Sequence, residues 1–194
     1  MILRDVTIKS RLSEIINLSK SDVSIDTNEI LKQINPNSFD LTISGEYKRP
    51  VKVFDVATYG FRDKEEAEYY KSSFWVDCKS DNGYILFAPG DCVLAYTREY
   101  ICMPKDLCGQ IFSKSSLGRM FINHEMSGVI DSGFSGRLTL ELKNDCIHYI
   151  RIPVGARVVQ LYLMQLDGIP ECAYDERNSK YMNAETVECA KWVG

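Results

Sequence analysis

The amino-acid sequence predicts an all-β fold built from many short strands, arranged as a sandwich or a barrel. From Gly83 onward, short apolar runs alternate with turn sequences at fairly regular spacing, which is typical of such folds. The eleven tyrosines and eight phenylalanines also favour strands. The chain lacks the regular alternation of strands and helices that a parallel sheet requires.

The first 82 residues contain three predicted features. Residues 1–20 predict a short helix, because apolar residues recur at roughly helical spacing and Asp5 or Thr7 could cap its start. Residues 39–43 alternate apolar and polar side chains, which indicates a half-buried strand. Residues 60–82 form a polar excursion, with a helical turn before a strand near 74–76, and their role cannot be inferred from the sequence.

The strands after Gly83 are predicted at 84–87, 92–96, 107–112, 138–142 and 158–164, with turn sequences between them. The length of 194 residues favours a single domain spanning residues 1–194. Residues 170–194 are polar and weakly patterned, so we expect a tail that orders on a neighbouring subunit or a ligand.

The composition restricts the class of partner and the compartment. The net charge of −4, with no basic patch, argues against binding to a nucleic acid polymer. No apolar run of about 18 residues could span a membrane, and no secretion signal is present. Seven cysteines, an odd number without a C-x-x-C pair, indicate reduced thiols. We therefore expect a cytoplasmic protein that binds a small ligand.

Residues 114–119 combine two hydroxyls, two cations and a glycine, a set that suits phosphate oxygens. The alternative is an ordinary polar turn or a helix start capped by a serine. Residues 128–136 end an apolar strand at Asp131 and continue into a glycine-rich turn with Phe134. Asp131 could accept a sugar hydroxyl or orient a water, although a hairpin turn explains the same residues.

Residues 137–143 alternate leucines with polar side chains, so Glu141 lies on the face opposite the leucines. A solvated outer face is the ordinary explanation. If that face lines a subunit interface, Glu141 is a partly desolvated carboxylate suited to proton transfer.

These segments together resemble the dCTP deaminase family. Residues 113–144 are similar to its (R/K)-S-S-x-x-R, I-D-x-G-(F/W)-x-G and L-E-x-x-N motifs. Residues 35–41 resemble its P-x-S-x-D-L strand, and residues 86–99 and 104–107 resemble the following L-x-P-G, T-x-E and P-x-D-L segments. Residues 155–161 fit a later G-x-x-x-x-Q-L motif.

The resemblance implies a distorted β-barrel of the dUTPase-like type, assembled as a homotrimer with sites between subunits. It implies that Glu141 is catalytic and that Ser115 and Arg119 help to position the reacting water and base. The tail is implied to close over the nucleotide. The implied nucleotide-binding residues are Lys114, Ser115, Ser116, Leu117, Gly118, Arg119, Asp131, Thr139, Leu140, Glu141, Tyr174 and Lys180. His124 matches a family histidine that we interpret as structural.

The implied reaction is attack of water at C4 of cytosine in dCTP, with Glu141 taking and returning the proton. Zinc is not expected, because neither histidine begins an H-x-E motif and P-C-x-x-C is absent. Mg²⁺ is expected on the triphosphate, which supplies most of its ligands. The product would be dUTP; dUTP and dTTP are further candidate ligands.

Three alternatives remain open at this stage. A bifunctional enzyme would convert dCTP to dUMP and pyrophosphate, since Asp131 lies in a segment that also resembles the water-activating motif of dUTPases. A monofunctional dUTPase is less consistent with Glu141 and with the absence of a glycine-rich C-terminal arm. A non-catalytic nucleotide sensor would account for Ala184, which stands where the deaminases carry a base-contacting glutamine, unless Asn183 replaces that amide.

Overall fold

A computed structural model describes residues 1–51, 63–124 and 128–191. The helices are α1 (Asp5–Ser10), α2 (Leu12–Ile15), α3 (Thr27–Lys32), α4 (Lys64–Phe74) and α5 (Ser115–Gly118). The strands are β1 (Ile34–Asn35), β2 (Ser38–Thr42), β3 (Glu46–Pro50), β4 (Trp75–Lys79), β5 (Tyr84–Phe87), β6 (Cys92–Tyr96), β7 (Ile101–Cys102), β8 (Leu107–Ser113), β9 (Ile122–His124), β10 (Val129–Ile130), β11 (Ser135–Gly136), β12 (Thr139–Asn144), β13 (Ile150–Pro153) and β14 (Arg157–Gln165). A 3-10 turn follows at Tyr174–Glu176.

The strands form two five-stranded sheets and two two-stranded sheets in the described residues. One large sheet has the order β1-β2-β14-β8-β10 and the other β4-β3-β6-β12-β9; β11 pairs with β7, and β13 with β5. All the strand pairs are antiparallel. The all-β class with few helices is confirmed, as are the five strands predicted after Gly83, to within three residues at their ends.

The main core lies between the two large sheets, and β12 shows how the sequence produces it. Leu140 and Leu142 are at most 2% exposed and belong to this core, whereas Thr139, Glu141 and Lys143 lie on the other face and are half-buried. A smaller apolar cluster forms on that outer side, where Leu94 and Tyr96 of β6 meet Val187 and Cys189. The C-terminal tail therefore packs on the same sheet face as Glu141.

Strand β2 differs from the prediction, because all five of its residues are buried instead of alternating. Its polar side chains find partners inside the protein. Asp40 accepts from Lys114 Nζ at 2.8 Å, and the Thr42 hydroxyl donates to Glu99 at 2.6 Å. Burial raises the pKa of the Glu99 carboxyl, against the hydrogen bonds that it accepts. The pairing partners lie far along the chain, so the local pattern could not reveal them.

The helical predictions need two corrections. The N-terminal helix is split into α1 and α2, and α1 starts after Arg4 without a side-chain cap, so neither Asp5 nor Thr7 caps it. In the polar excursion, α4 has eleven residues, more than the single turn expected. The carboxylate of Asp63 accepts from Glu66 N at 2.9 Å and caps its start. Residues 60–62 of the predicted excursion lie outside the described residues.

Candidate active site

Glu141 lines a cavity of about 620 Å³ on the outer face of β12. The alternation of β12 turns its side chain away from the core, and 35% of that side chain remains exposed in the single chain. The cavity wall is largely apolar, with a few polar groups, which is typical of small-molecule sites. Its other lining residues include Val129, Ile130, Phe134, Arg137, Thr139, Lys143, Tyr181, Ala184 and Glu188.

His124 lies beside this carboxylate. The edge strand β9 pairs with β12, and His124 Nε2 is 3.6 Å from Glu141 Oε2. The imidazole is only 3% exposed, and burial lowers the pKa of His124 to about 4. It is therefore neutral at pH 7, and the contact is a polar one and not an ion pair.

The glycine-rich turn after β10 brings an aromatic ring to the cavity. Asp131 follows Ile130 and is exposed, and Gly133 adopts a φ of +80° that favours glycine. The turn buries Phe134 against the cavity, with its ring centroid 5.8 Å from that of Tyr174. Asp131 itself is adjacent to the cavity wall without lining it.

Residues 114–119 lie apart from Glu141 in the single chain. Lys114 Nζ is 2.8 Å from the buried Asp40 carboxylate, so this cation has a partner within the chain. Helix α5 follows, with Leu117 buried and Ser115 and Arg119 exposed; Ser116 and Gly118 are also exposed. None of these six residues lines the Glu141 cavity.

The structure thus brings together only part of the predicted set. Glu141 and Thr139 share the cavity, whereas Leu140 points into the core on the opposite face. Tyr174 reaches the site indirectly through Phe134, and Lys180 is exposed beside Tyr181, which does line it.

The tail segment after Tyr181 is hydrogen-bonded to the backbone beside the cavity. Asn183 N donates to Ser135 O at 2.7 Å, and Arg137 N donates to Ala184 O at 2.8 Å. Ala184 lines the cavity. The Asn183 side chain accepts from Tyr100 OH at 3.1 Å and does not line the cavity, so in this arrangement it does not replace the missing amide.

Several lining residues were not identified from the sequence. Tyr70 and Trp75, in the polar excursion, and Glu188, in the tail, have no motif around them that marks a site. His124 was assigned only a structural role, although it contacts Glu141. The contact of His124 with Glu141 and that of Glu188 N with Thr139 join distant parts of the chain, so spacing along the sequence carries no information about them.

Two further features concern metals and membranes. In residues 1–51, 63–124 and 128–191, no three or more His, Cys, Asp or Glu side chains are grouped so that they could hold a metal ion. Across the same part of the chain, none of the helices combines the length and apolar character needed to cross a bilayer.

Comparison with known proteins assigns the family. A family described as dCTP deaminase-like matches residues 2–166, and the chain belongs to this family. A Methanobrevibacter smithii protein named "dCTP deaminase, dUMP-forming" is 34% identical, covering 98% of this chain and 94% of its own length. A Halobacterium salinarum protein with the same name is 30% identical, covering 100% and 96%.

A solved structure supports the fold. The 2'-deoxycytidine 5'-triphosphate deaminase from Agrobacterium tumefaciens superposes with a TM-score of 0.60 at 22% identity. The match covers 84% of this chain and 47% of that chain, so this chain spans about half of its length. The family expected from the motifs is confirmed by the family match and by the two relatives named above.

Proposed function

We propose that this protein is a bifunctional dCTP deaminase that converts dCTP and two waters to dUMP, ammonia and pyrophosphate. The observation that carries the proposal is the cavity on β12, in which the family's glutamate, Glu141, is turned toward a nucleotide-sized space. The names of the relatives favour the dUMP-forming alternative over release of dUTP, which was the first interpretation of the sequence. The two interpretations share the deamination and differ only in the final product.

In the proposed deamination, Glu141 takes a proton from a water molecule while the oxygen of that water attacks C4 of cytosine. The C4–N bond then breaks, and the same carboxyl returns the proton to the departing amine, which leaves as ammonia. Neutral His124, 3.6 Å from the carboxylate, would orient it without competing for the proton. The apolar wall would exclude bulk water and strengthen these polar contacts.

In the proposed second step, water attacks the α-phosphorus of the uracil nucleotide, and the bond to the bridging oxygen breaks to release pyrophosphate. We assign the orientation of this water to Asp131, which follows two cavity-lining residues, Val129 and Ile130. Mg²⁺ would take most of its ligands from the triphosphate oxygens and would neutralise the leaving pyrophosphate.

The site as proposed needs a second subunit, because Ser115 and Arg119 do not line the Glu141 cavity of their own chain. A homotrimer would supply them from a neighbour. Apolar exposure near α5 supports such an interface: Val129 is 73% exposed, Phe121 60% and Phe112 48%.

Product analysis tests the proposal. Purified protein with dCTP and Mg²⁺ should release ammonia and pyrophosphate in equal amounts, with dUMP as the nucleotide product. Ammonia with dUTP alone would support the simple deaminase, and pyrophosphate from dUTP without deamination would indicate a dUTPase. Binding of dCTP without turnover would indicate a sensor and overturn the proposal.

A further inference from the structure

The described part of the polar excursion, residues 63–82, contacts the C-terminal tail. The tail is defined here as residues 170–191. Trp75, at the junction of α4 and β4, packs against a cluster of Leu94, Tyr96, Val187 and Cys189. Each of these four residues is at most 9% exposed. Two belong to β6 and two to the tail, so the tail packs on the sheet at this cluster and the indole packs against it.

The indole is itself held by the end of α4. The rings of Phe74 and Trp75 meet edge-on with centroids 4.8 Å apart, and Phe74 stacks on Tyr70, also at 4.8 Å. Tyr70 and Trp75 line the same cavity as Glu141. The excursion therefore contributes one wall of the candidate site as well as a contact surface for the tail.

The tail forms a loop that closes mainly on itself. Lys191 Nζ is 2.8 Å from Glu188 and donates to Lys180 O at 2.6 Å, and Lys191 N donates to the Tyr181 hydroxyl at 3.2 Å. Between these ends, Glu188 N donates to Thr139 Oγ1 at 3.0 Å. The cluster beside Trp75 is an apolar contact between residues 187–189 of this loop and strand β6. Apolar burial is a large stabilising contribution to docking of this kind.

We infer that Trp75 is a positioning residue that holds the C-terminal tail over the Glu141 cavity of the same chain. The loop brings Tyr181, Ala184 and Glu188 to the cavity wall, and the packing of Trp75 against the cluster that contains Val187 and Cys189 adds an apolar contact to the hydrogen bonds that hold it there. The excursion of unknown role thus acts as a docking platform for the tail. The catalytic consequence rests on the proposed function, whereas the docking does not.

Limited proteolysis of the full-length protein tests the docking without any substrate. Trypsin cleaves after Lys180 and Lys191, and docking should protect both. Trp75→Ala and Val187→Ala should each speed tail cleavage, by about tenfold for Trp75→Ala, because the protease acts on the opened loop. Tyr69→Ala is the matched control, since Tyr69 is an aromatic residue of α4, the helix that precedes Trp75, and is 61% exposed; the tail of this variant should be cut at the parental rate.

The double variant Trp75→Ala/Val187→Ala distinguishes loss of docking from general destabilisation of the protein. The double variant should be cut no faster than Trp75→Ala alone, because both changes break one contact. Cleavage elsewhere in the chain should stay at the parental rate, and Trp75→Phe should restore most of the protection. Parental rates of tail cleavage in both Trp75→Ala and Val187→Ala, or fully additive effects in the double variant, would overturn the inference.

Kinetics give a second measurement. Trp75→Ala should raise KM for dCTP by about tenfold with a smaller change in kcat, because the tail contributes to binding more than to proton transfer. If the parental protein does not deaminate dCTP, the proposed function fails, and the protease result still decides the docking.

Discussion

His124 Nε2 lies 3.6 Å from Glu141 Oε2, and the imidazole is neutral because burial lowers the pKa of His124 to about 4. A protonated histidine there would hold the carboxylate in its ionised form and resist proton transfer to it. The neutral ring has no such effect, so the contact between His124 and Glu141 is a polar one and not a salt bridge. This arrangement is consistent with the acid–base role proposed for Glu141.

Replacement of Glu141 by Gln should abolish deamination while leaving nucleotide binding almost unchanged. The amide keeps the size of the side chain but cannot take up the proton, so ammonia release from dCTP should fall by at least about 10²-fold. Ammonia assays and isothermal titration with dCTP would measure the two properties. Ammonia release near the parental rate would refute the role assigned to Glu141.

The buried imidazole should make stability depend on pH. The folded pKa of about 4 lies below the ordinary value of 6.5, so the unfolded state binds the proton first as the pH falls. Stability should therefore be full above pH 6.5 and be lost progressively between pH 6.5 and 4. Between pH 7.5 and 5 the expected loss is about 2 kcal/mol, measurable by urea unfolding.

His124→Gln provides the comparison for this pH dependence, because glutamine keeps a polar side chain but does not titrate. Between pH 7.5 and 5, the free energy of unfolding of this variant should fall by about 2 kcal/mol less than that of the parent. Parallel pH profiles of the parent and this variant would contradict the assignment.

The face of Glu141 could be predicted from the sequence, whereas its surroundings could not. Strand alternation depends only on neighbouring residues, so the leucines of β12 placed Glu141 on the outer face correctly. The contact with His124 requires the pairing of β9 with β12, and the contact of Trp75 with Val187 joins segments more than 100 residues apart. Such contacts depend on the tertiary fold, and a polar, weakly patterned segment gives no indication of them.

Lys114 was predicted to bind phosphate, but within the chain it forms an ion pair with a buried carboxylate. It was grouped with the phosphate-binding residues, and the structure pairs it with Asp40, which is fully buried. Lys114→Met should lower the free energy of unfolding without nucleotide by about 2 kcal/mol or more, because it leaves a buried carboxylate without its ammonium. Urea unfolding at fixed protein concentration would measure this.

The double variant Asp40→Asn/Lys114→Met is the control for this pair. It removes both charges, so it should recover part of the stability that Lys114→Met loses. If Lys114→Met alone unfolds at the parental urea concentration, the ion pair contributes nothing and the lysine is reserved for a ligand.

Asp131 should separate the two proposed steps. Asp131→Asn keeps the turn after β10 but cannot activate water as a carboxylate does, so ammonia release should continue while pyrophosphate release falls by about 10²-fold or more. dUTP should then accumulate from dCTP, which chromatography of the nucleotides would detect. Asp167→Asn is the matched control, because Asp167 is also exposed and does not line the Glu141 cavity. Equal loss of both products in Asp131→Asn would instead place this carboxylate in nucleotide binding, and unchanged dUMP formation would remove it from the mechanism.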